Sequence, residues 1–302
     1  MLCIGLLVCW NAVGADYPPA PVSMSPIRVS EHVYYVSGIA GIATENAGFV
    51  SNASFVVTDD GVIVFDALGT PTLGALLLDT IREVTEAPIQ RLYISHYHAD
   101  HMYGAQVFAD LGVEIIAPEG AVRYLSGEDA ARRLEERRIS LDPWVNNDTR
   151  VVYPDRYLTD TESHTVGGVT MRAVNLGSAH SDGDLALFIE TDGVLLSGDV
   201  IFRDRIPLLG SANSRQWLDV LNVLAESGVN AIVPGHGHPG ENPADTIAYT
   251  RDYLQFVRQE MQEAVEEWIP FDEAYDAVDW SDYYEYPAFL EANRRNAYGI
   301  YL

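Results

Sequence analysis

Two apolar runs, ASFVV and VIVF, flank Asp60-Gly61 between residues 53 and 69. β-Branched and aromatic residues on both sides of an Asp-Gly pair predict a hairpin, because its turn needs positive φ at positions that Asp and Gly tolerate. HVYYVSG predicts an earlier strand. The period then changes. In TLGALLLDTIREVTE, Leu73, Leu76, Leu77, Ile81 and Val84 fall on one side of a helix. IQRLYIS reads as a buried strand, GAQVFADLG as a short helix and VEIIAP as another strand. Residues 119–150 include EDAARRLEERR, and this charged, helical stretch is expected to lie over the outside. Strands return at VTMRAVNLG, LALFIET, GVLLSGD and AIVPGHG, and helices at SRQWLDVLNVLAESG and DTIAYTRDYLQFVRQEMQEAVEEW. No internal repeat of a solenoid kind is visible. Helices alternating with strands after a β-rich opening predict an α/β (α+β) fold, with two sheets and helices outside both.

Composition narrows the class. The chain has 302 residues and 48% hydrophobic content, enough for one large core with appendages. The net charge is −26, spread along the chain without a dominant block, and no basic patch marks a nucleic-acid binder. The acidity is read as a solubility feature. The first fifteen residues, MLCIGLLVCWNAVGA, are apolar, end in small residues and precede the Pro-rich DYPPAP. They read as a signal peptide cleaved after Ala15, without the usual positive start, which implies a periplasmic or secreted protein. A buried N-terminal strand or helix is the alternative. The run is too short to span a bilayer, so the mature chain is expected to carry no membrane span. Cys3 and Cys9 both lie inside it, which leaves a mature chain with no disulfide and no thiolate ligand.

The candidate chemistry sits where apolar runs stop. ISHYHADH, residues 94–101, holds three of the chain's eight histidines. His96 and His98 are two apart, so an extended backbone puts both on one side. Asp100 and His101 follow where the strand ends. His180 in LGSAHSDGD, Asp199 closing VLLSGD and His236 in VPGHGHPG stand in similar places, each beside glycine. Imidazole nitrogens with carboxylate oxygens are ordinary zinc ligands, and glycine lets the backbone turn sharply beside them. Ser178 and Ser181 read as turn residues. His32 and His164 read as surface or satisfied structural residues. His238 stands open between a supporting contact to the site and the surface.

These motifs resemble the metallo-β-lactamase superfamily. Asp66, HYHADH, His180, SGDVIF around Asp199 and GHGHP around His236 occur in that family's order over residues 28–240. The resemblance implies a four-layer αββα sandwich with two zinc ions per chain at one edge. It implies His96, His98 and His180 at one zinc, Asp100, His101 and His236 at the other, and Asp199 bridging them. Asp66 would support the histidine loop through hydrogen bonds. The implied reaction is hydrolysis: water activated between the metals attacks a carbonyl of an ester, lactone, thioester or lactam, or a related ester bond. Asp100, His180 and Asp199 would act in it, and Asp100 would orient the attacking water. A bridging carboxylate is the pattern of glyoxalase II-like and lactonase-like members, whereas the best-known β-lactamase subclass has a cysteine there. The β-lactamase reading stays open beside the broader one, as does a non-hydrolytic di-iron or metal-binding protein. SGDVIFRDRIPLLG and the ending NRRNAYGIYL look similar to periplasmic members associated with thiosulfate-oxidation and quinoprotein-relay gene clusters.

On this basis residues 16–265 are the hydrolase domain and 266–302 an acidic, aromatic extension. Trp268, Trp280 and Tyr283 are expected to pack on the sandwich, with an aromatic wall for substrate as the alternative. Arg203 and Arg205 follow Asp199 closely in a chain with 18 basic residues. Either can hold an anionic group of a small-molecule substrate, and a salt bridge to Asp204 is the competing role.

Overall fold

The hairpin around Asp60-Gly61 forms the middle of the first sheet. The structure, a computed structural model, describes residues 17–210 and 212–302, so the expected signal segment lies outside the described residues. Strands β1 (Ile27–Arg28), β2 (Val33–Val36), β3 (Ala53–Thr58), β4 (Gly61–Phe65), β5 (Ile89–Tyr93), β6 (Glu114–Pro118) and β7 (Arg156–Leu158) lie side by side in chain order. Pairing is antiparallel from β1 to β4 and parallel from β4 to β7. Parallel neighbours need crossovers. Helix α1 (Pro71–Val84) makes the first, α2 (Ala99–Met102) and α3 (Ala105–Asp110) the second, and α4 (Ala121–Ser126) and α5 (Asp129–Ser140) the third.

The second sheet holds β8 (Glu162–Val166), β9 (Val169–Gly177), β10 (Asp184–Ile189), β11 (Val194–Leu196) and β12 (Ala231–Val233) in the order β12-β11-β10-β9-β8. β11 and β12 are parallel, joined by α6 (Ser214–Ala225). Helices α7 (Pro243–Glu266), α8 (Phe271–Ala277) and α9 (Arg294–Tyr301) complete the chain.

Between the sheets, Val56, Ile63, Phe65 and Tyr93 meet Met171, Leu185, Leu187 and Leu196. Leu73, Leu77 and Ile81 of α1 cover the outer face of the first sheet, and Trp217, Leu221, Leu254 and Val257 that of the second. β4 and β10 are therefore buried along their whole length, on both faces. Each fully buried side chain of this size contributes roughly 1.5–3 kcal/mol. The result is the four-layer αββα sandwich. α1 begins where Thr70 accepts a hydrogen bond from Leu73 N at 3.2 Å with Pro71 behind it.

Three expectations change. β1, β7 and β8 have no apolar alternation to announce them; β8 is the polar edge ESHTV. α5 is not merely an outer layer: it buries Ala130 and Leu134, and Arg137 near its end faces a cleft beside the histidine cluster. The extension packs on α7, with Trp280 5.6 Å from Phe256 and Tyr283 5.3 Å from Tyr253. Trp268, however, is 90% exposed.

Candidate metal centre

The ends of β5, β9, β11 and β12 converge at one edge, and backbone bonds tie them together. Leu185 N donates to Ser95 O at 2.8 Å, joining the two sheets beside His96 and His180. Gly235 N donates to Gly198 O at 2.9 Å, joining the turn of Asp199 to that of His236. Two glycines make this approach feasible. Gly198 has φ +55, and a Cβ there would lie 2.5 Å from Ser95 Cβ; a Cβ on Gly235 would lie 2.1 Å from Asp199 Oδ1.

All seven expected ligands come together. His96, His98, His180 and Asp199 form one group able to hold a metal ion, and Asp100, His101 and His236 another. Asp199 stands between them. Its Oδ2 is 3.4 Å from His180 Nε2 and 3.3 Å from His236 Nε2, and its Oδ1 is 3.1 Å from His101 Nε2. Asp100 Oδ2 is 3.3 Å from His236 Nε2. His96 Nε2, His101 Nε2 and Asp199 Oδ1 are buried, yet none has a hydrogen-bond partner among the described residues. The His101–Asp199 approach is close but lacks the alignment of a hydrogen bond. Buried polar atoms are normally satisfied, and this inward-facing set fits a cation.

The rings are aimed from behind. His101 Nδ1 donates to Asp66 Oδ2 at 2.8 Å, and Ser95 donates to both Asp66 oxygens at 2.7 Å through its backbone N and its Oγ. Ser95 Oγ in turn sits 2.9 Å from His96 Nδ1. His236 Nδ1 donates to Val50 O at 2.7 Å, and Phe202 stacks on that ring at 4.9 Å. Trp217 meets the ring of His180 edge-on at 5.1 Å. Hydrogen bonds at the outer nitrogens of His96, His101 and His236 fix tautomers that leave Nε2 facing the centre.

The electrostatics favour a cation. Burial holds His180 neutral, its pKa pushed down to about 3, and lowers His96 as well. Burial also opposes charge on His101, but Asp199, Asp66 and Asp100 overcome it and raise its pKa well above that of a free imidazole. Burial would raise Asp199 and Asp100, yet the neighbouring imidazoles hold both well below the usual carboxylate range. Both carboxylates and three imidazoles, His96, His98 and His180, are thus held in the form that binds a metal, whereas the raised His101 and His236 must release a proton when one binds.

The remaining expected site residues separate. Arg205 is buried and lines the cleft next to Asp100. Arg203 turns away toward Asp204, 4.0 Å from it, and toward the ring of Tyr249. His238 is surface-exposed and bonds Asp204 at 3.1 Å, so it supports no ligand. His32 is satisfied by Asp192 at 2.8 Å. His164 stacks on Tyr93, and its ring nitrogens have no hydrogen-bond partner among the described residues. Ser178 and Ser181 are turn residues: Ser178 Oγ donates to Ser181 O, and Ser181 donates to Asp184 through N and Oγ. Asp184 was not singled out from the sequence, although a carboxylate opening the apolar strand DLALFI is a usable signal. Ser95 carries no signal of its own beside its histidine, and nothing in a charged helix marks Arg137.

A two-sheet sandwich with paired His/Asp triads at its edge defines a class of metalloproteins. The metallo-β-lactamase superfamily model matches residues 46–236, and the chain belongs to that superfamily. It is 22% identical over 216 residues to metallo-β-lactamase IND-1 of Chryseobacterium indologenes, covering 70% of this chain and 80% of that protein. It is 19% identical over 239 residues to a linear primary-alkylsulfatase of Pseudomonas sp., covering 67% of this chain and 44% of that one. Among solved structures, the stereoselective inverting sec-alkylsulfatase Pisa1 from Pseudomonas sp. aligns with a TM-score of 0.70 at 18% identity, over 92% of this chain and 50% of the other. A metallo-β-lactamase from Pontibacter korlensis aligns with a TM-score of 0.60 at 18% identity, over 77% and 99%. The chain thus spans half or less of the alkylsulfatases and most of the β-lactamases it resembles.

Proposed function

We propose that this protein is an exported dinuclear zinc hydrolase acting on small molecules that carry a negative group. The observation that carries the reading is Asp199, set between two triads in which His96 Nε2 and His101 Nε2 are buried without a hydrogen-bond partner among the described residues. His96, His98 and His180 would hold one ion, Asp100, His101 and His236 the other, and Asp199 would touch both. When bound, such a pair supplies Lewis-acid polarisation and lowers the pKa of water toward neutrality.

The chain's own residues do the rest. Asp66 and Ser95 fix the tautomers of His101 and His96, which aims the ligands before substrate arrives. Asp100 is partly exposed at the cleft, where its carboxylate can orient the attacking water. Arg205 is the group placed to hold the substrate's negative charge. Hydrolase neighbours named for β-lactams and alkyl sulfates support small-molecule hydrolysis. A carboxylate at Asp199 rather than a cysteine leads us to rank ester, lactone, thioester and sulfate-ester bonds ahead of lactams.

Elemental analysis of the purified chain, with a hydrolysis screen over those five bond types, tests this reading. Two zinc equivalents and turnover in one class are expected. One equivalent in fully loaded, active enzyme overturns the two-metal reading, and no turnover with both sites filled overturns the hydrolase.

A further inference from the structure

We propose that the cleft beside the metal centre selects elongated anionic amphiphiles, seated by Arg205 and by an apolar wall that the C-terminal extension completes. The proposal rests on the hydrolase reading for its consequence, since it names the substrate class of the same site.

Arg205 carries the argument. It is only 7% exposed, and its Nε has no hydrogen-bond partner among the described residues. Its Nη1 lies 3.4 Å from His236 Nδ1, but that nitrogen gives its proton to Val50 O, so the contact is not a hydrogen bond. Its neighbour Arg203 lies 4.0 Å from Asp204, the limit of an ion pair, and its Nε has no hydrogen-bond partner among the described residues; Arg205 makes no ion pair at all among them. The chain has 44 acidic and 18 basic residues, so carboxylates are not scarce. A buried guanidinium without one is a costly arrangement unless an anion arrives from outside. Arg137 faces the same cleft and also has a buried Nε with no partner among the described residues. The acids facing this space are Asp100, part of the metal cluster, and the exposed Glu291.

The rest of the cleft is built for carbon. Its volume is about 480 Å³, within the roughly 300–1,000 Å³ of most small-molecule sites. Ile42 and Val50 line it from the segment before β3, Leu141 from the end of α5, and Leu208 from the loop after Asp199. Pro287 and Ala288 of the extension close it. Ile206 N donates to Pro287 O at 2.9 Å, so the loop bearing Arg205 and the extension's wall are one unit. Single exposed aliphatic residues are ordinary, but Ile42 at 47% and Leu208 at 37% flank one opening. An anion at the inner end and apolar surface leading to the mouth fit a charged head with a hydrocarbon arm.

Calorimetry with n-butyl to n-decyl sulfonates, which cannot be hydrolysed, tests this on the full chain, both zinc-loaded and chelator-treated. Affinity should rise about two- to fourfold per methylene until the cleft is full. Arg205→Met should lose at least tenfold on sulfonates and leave matched n-alkanols unchanged, while Arg205→Lys retains part of the preference. Ile42→Ser and Leu208→Ser, at positions outside the core, should flatten the chain-length dependence. Affinity independent of chain length in the unsubstituted protein overturns the proposal, as does an equal loss on sulfonates and alkanols. Because no turnover is read, sulfonate binding can hold while the hydrolysis screen fails, and the reverse, which separates the two readings.

Discussion

Asp66 accepts a hydrogen bond from His101 Nδ1 at 2.8 Å, from a backbone held at φ +63. The same carboxylate holds Ser95, whose hydroxyl faces His96, so one buried acid aims a histidine in each triad. Positive φ is uncommon for a residue with a side chain, and here it coincides with the residue both triads depend on. Asp66→Asn keeps the shape but replaces one acceptor oxygen with a donor. Zinc affinity, read by chelator competition, should fall about 10–100-fold with both sites weakened. An unchanged affinity would show that the histidines are aimed without it.

Gly235 tests the close approach of the two turns. A methyl group there would meet Asp199 Oδ1 at 2.1 Å and Gly198 C at 2.6 Å, both held by their surroundings. Gly235→Ala should therefore displace Asp199, lower zinc content and cost about 1–3 kcal/mol in urea unfolding. Gly228→Ala is the contrast. That residue also has positive φ, at +71, but nothing lies within 4 Å of its added carbon, so it should cost only backbone strain and leave zinc in place.

The legible part of this molecule was the part with a period or a motif. VTMRAVNLG became β9 over Val169–Gly177, and the metal candidates lay where apolar runs stopped. The ligands were readable because metal chemistry restricts residue type. What supports them was not. Ser95 and Asp184 each act through three hydrogen bonds, a use of Ser and Asp found in any turn. Arg203 and Arg205 looked equivalent in sequence; only the path of the loop buries one and turns the other to Asp204. Likewise, the extension's role at the cleft depends on Pro287 meeting Ile206 across 81 positions of chain, which no local pattern encodes.

Asp184 should give stability a measurable pH dependence. Burial pushes its pKa from 3.8 to about 6, with the charge of Asp199 adding to the rise and hydrogen bonds from Ser181 and Ala179 opposing it. Between those values the folded chain keeps a proton that the unfolded chain has released. The group's favourable contribution is therefore full below about pH 3.8 and lost as pH rises through about 6. Asp184→Asn removes the titration. From about pH 4.5 to 7.5 the wild type should lose about 2 kcal/mol relative to that variant, read from urea midpoints. A difference that does not move with pH would mean that Asp184 stays ionised throughout.

Asn296 separates positioning of the cleft from stability of the extension. Its side chain is buried and bridges the loop that follows Arg205: Leu209 N donates to its Oδ1 at 3.0 Å, and its Nδ2 donates to Pro207 O at 2.6 Å. Tyr253 OH accepts from the same Nδ2 at 2.9 Å. Asn293 is equally buried and bonds Tyr253 and Tyr275, but makes no hydrogen bond to that loop among the described residues. Either residue changed to Ala strands buried partners, so each variant should lose about 2–4 kcal/mol in urea unfolding. Only Asn296→Ala frees the backbone that sets Arg205. It should weaken decyl sulfonate binding several-fold and raise KM on an anionic substrate more than it lowers kcat, with zinc content unchanged. Asn293→Ala should leave both binding and KM as they were. If the two variants weaken sulfonate binding equally, the extension stabilises the fold without setting the cleft, and Asn296 has no positioning role.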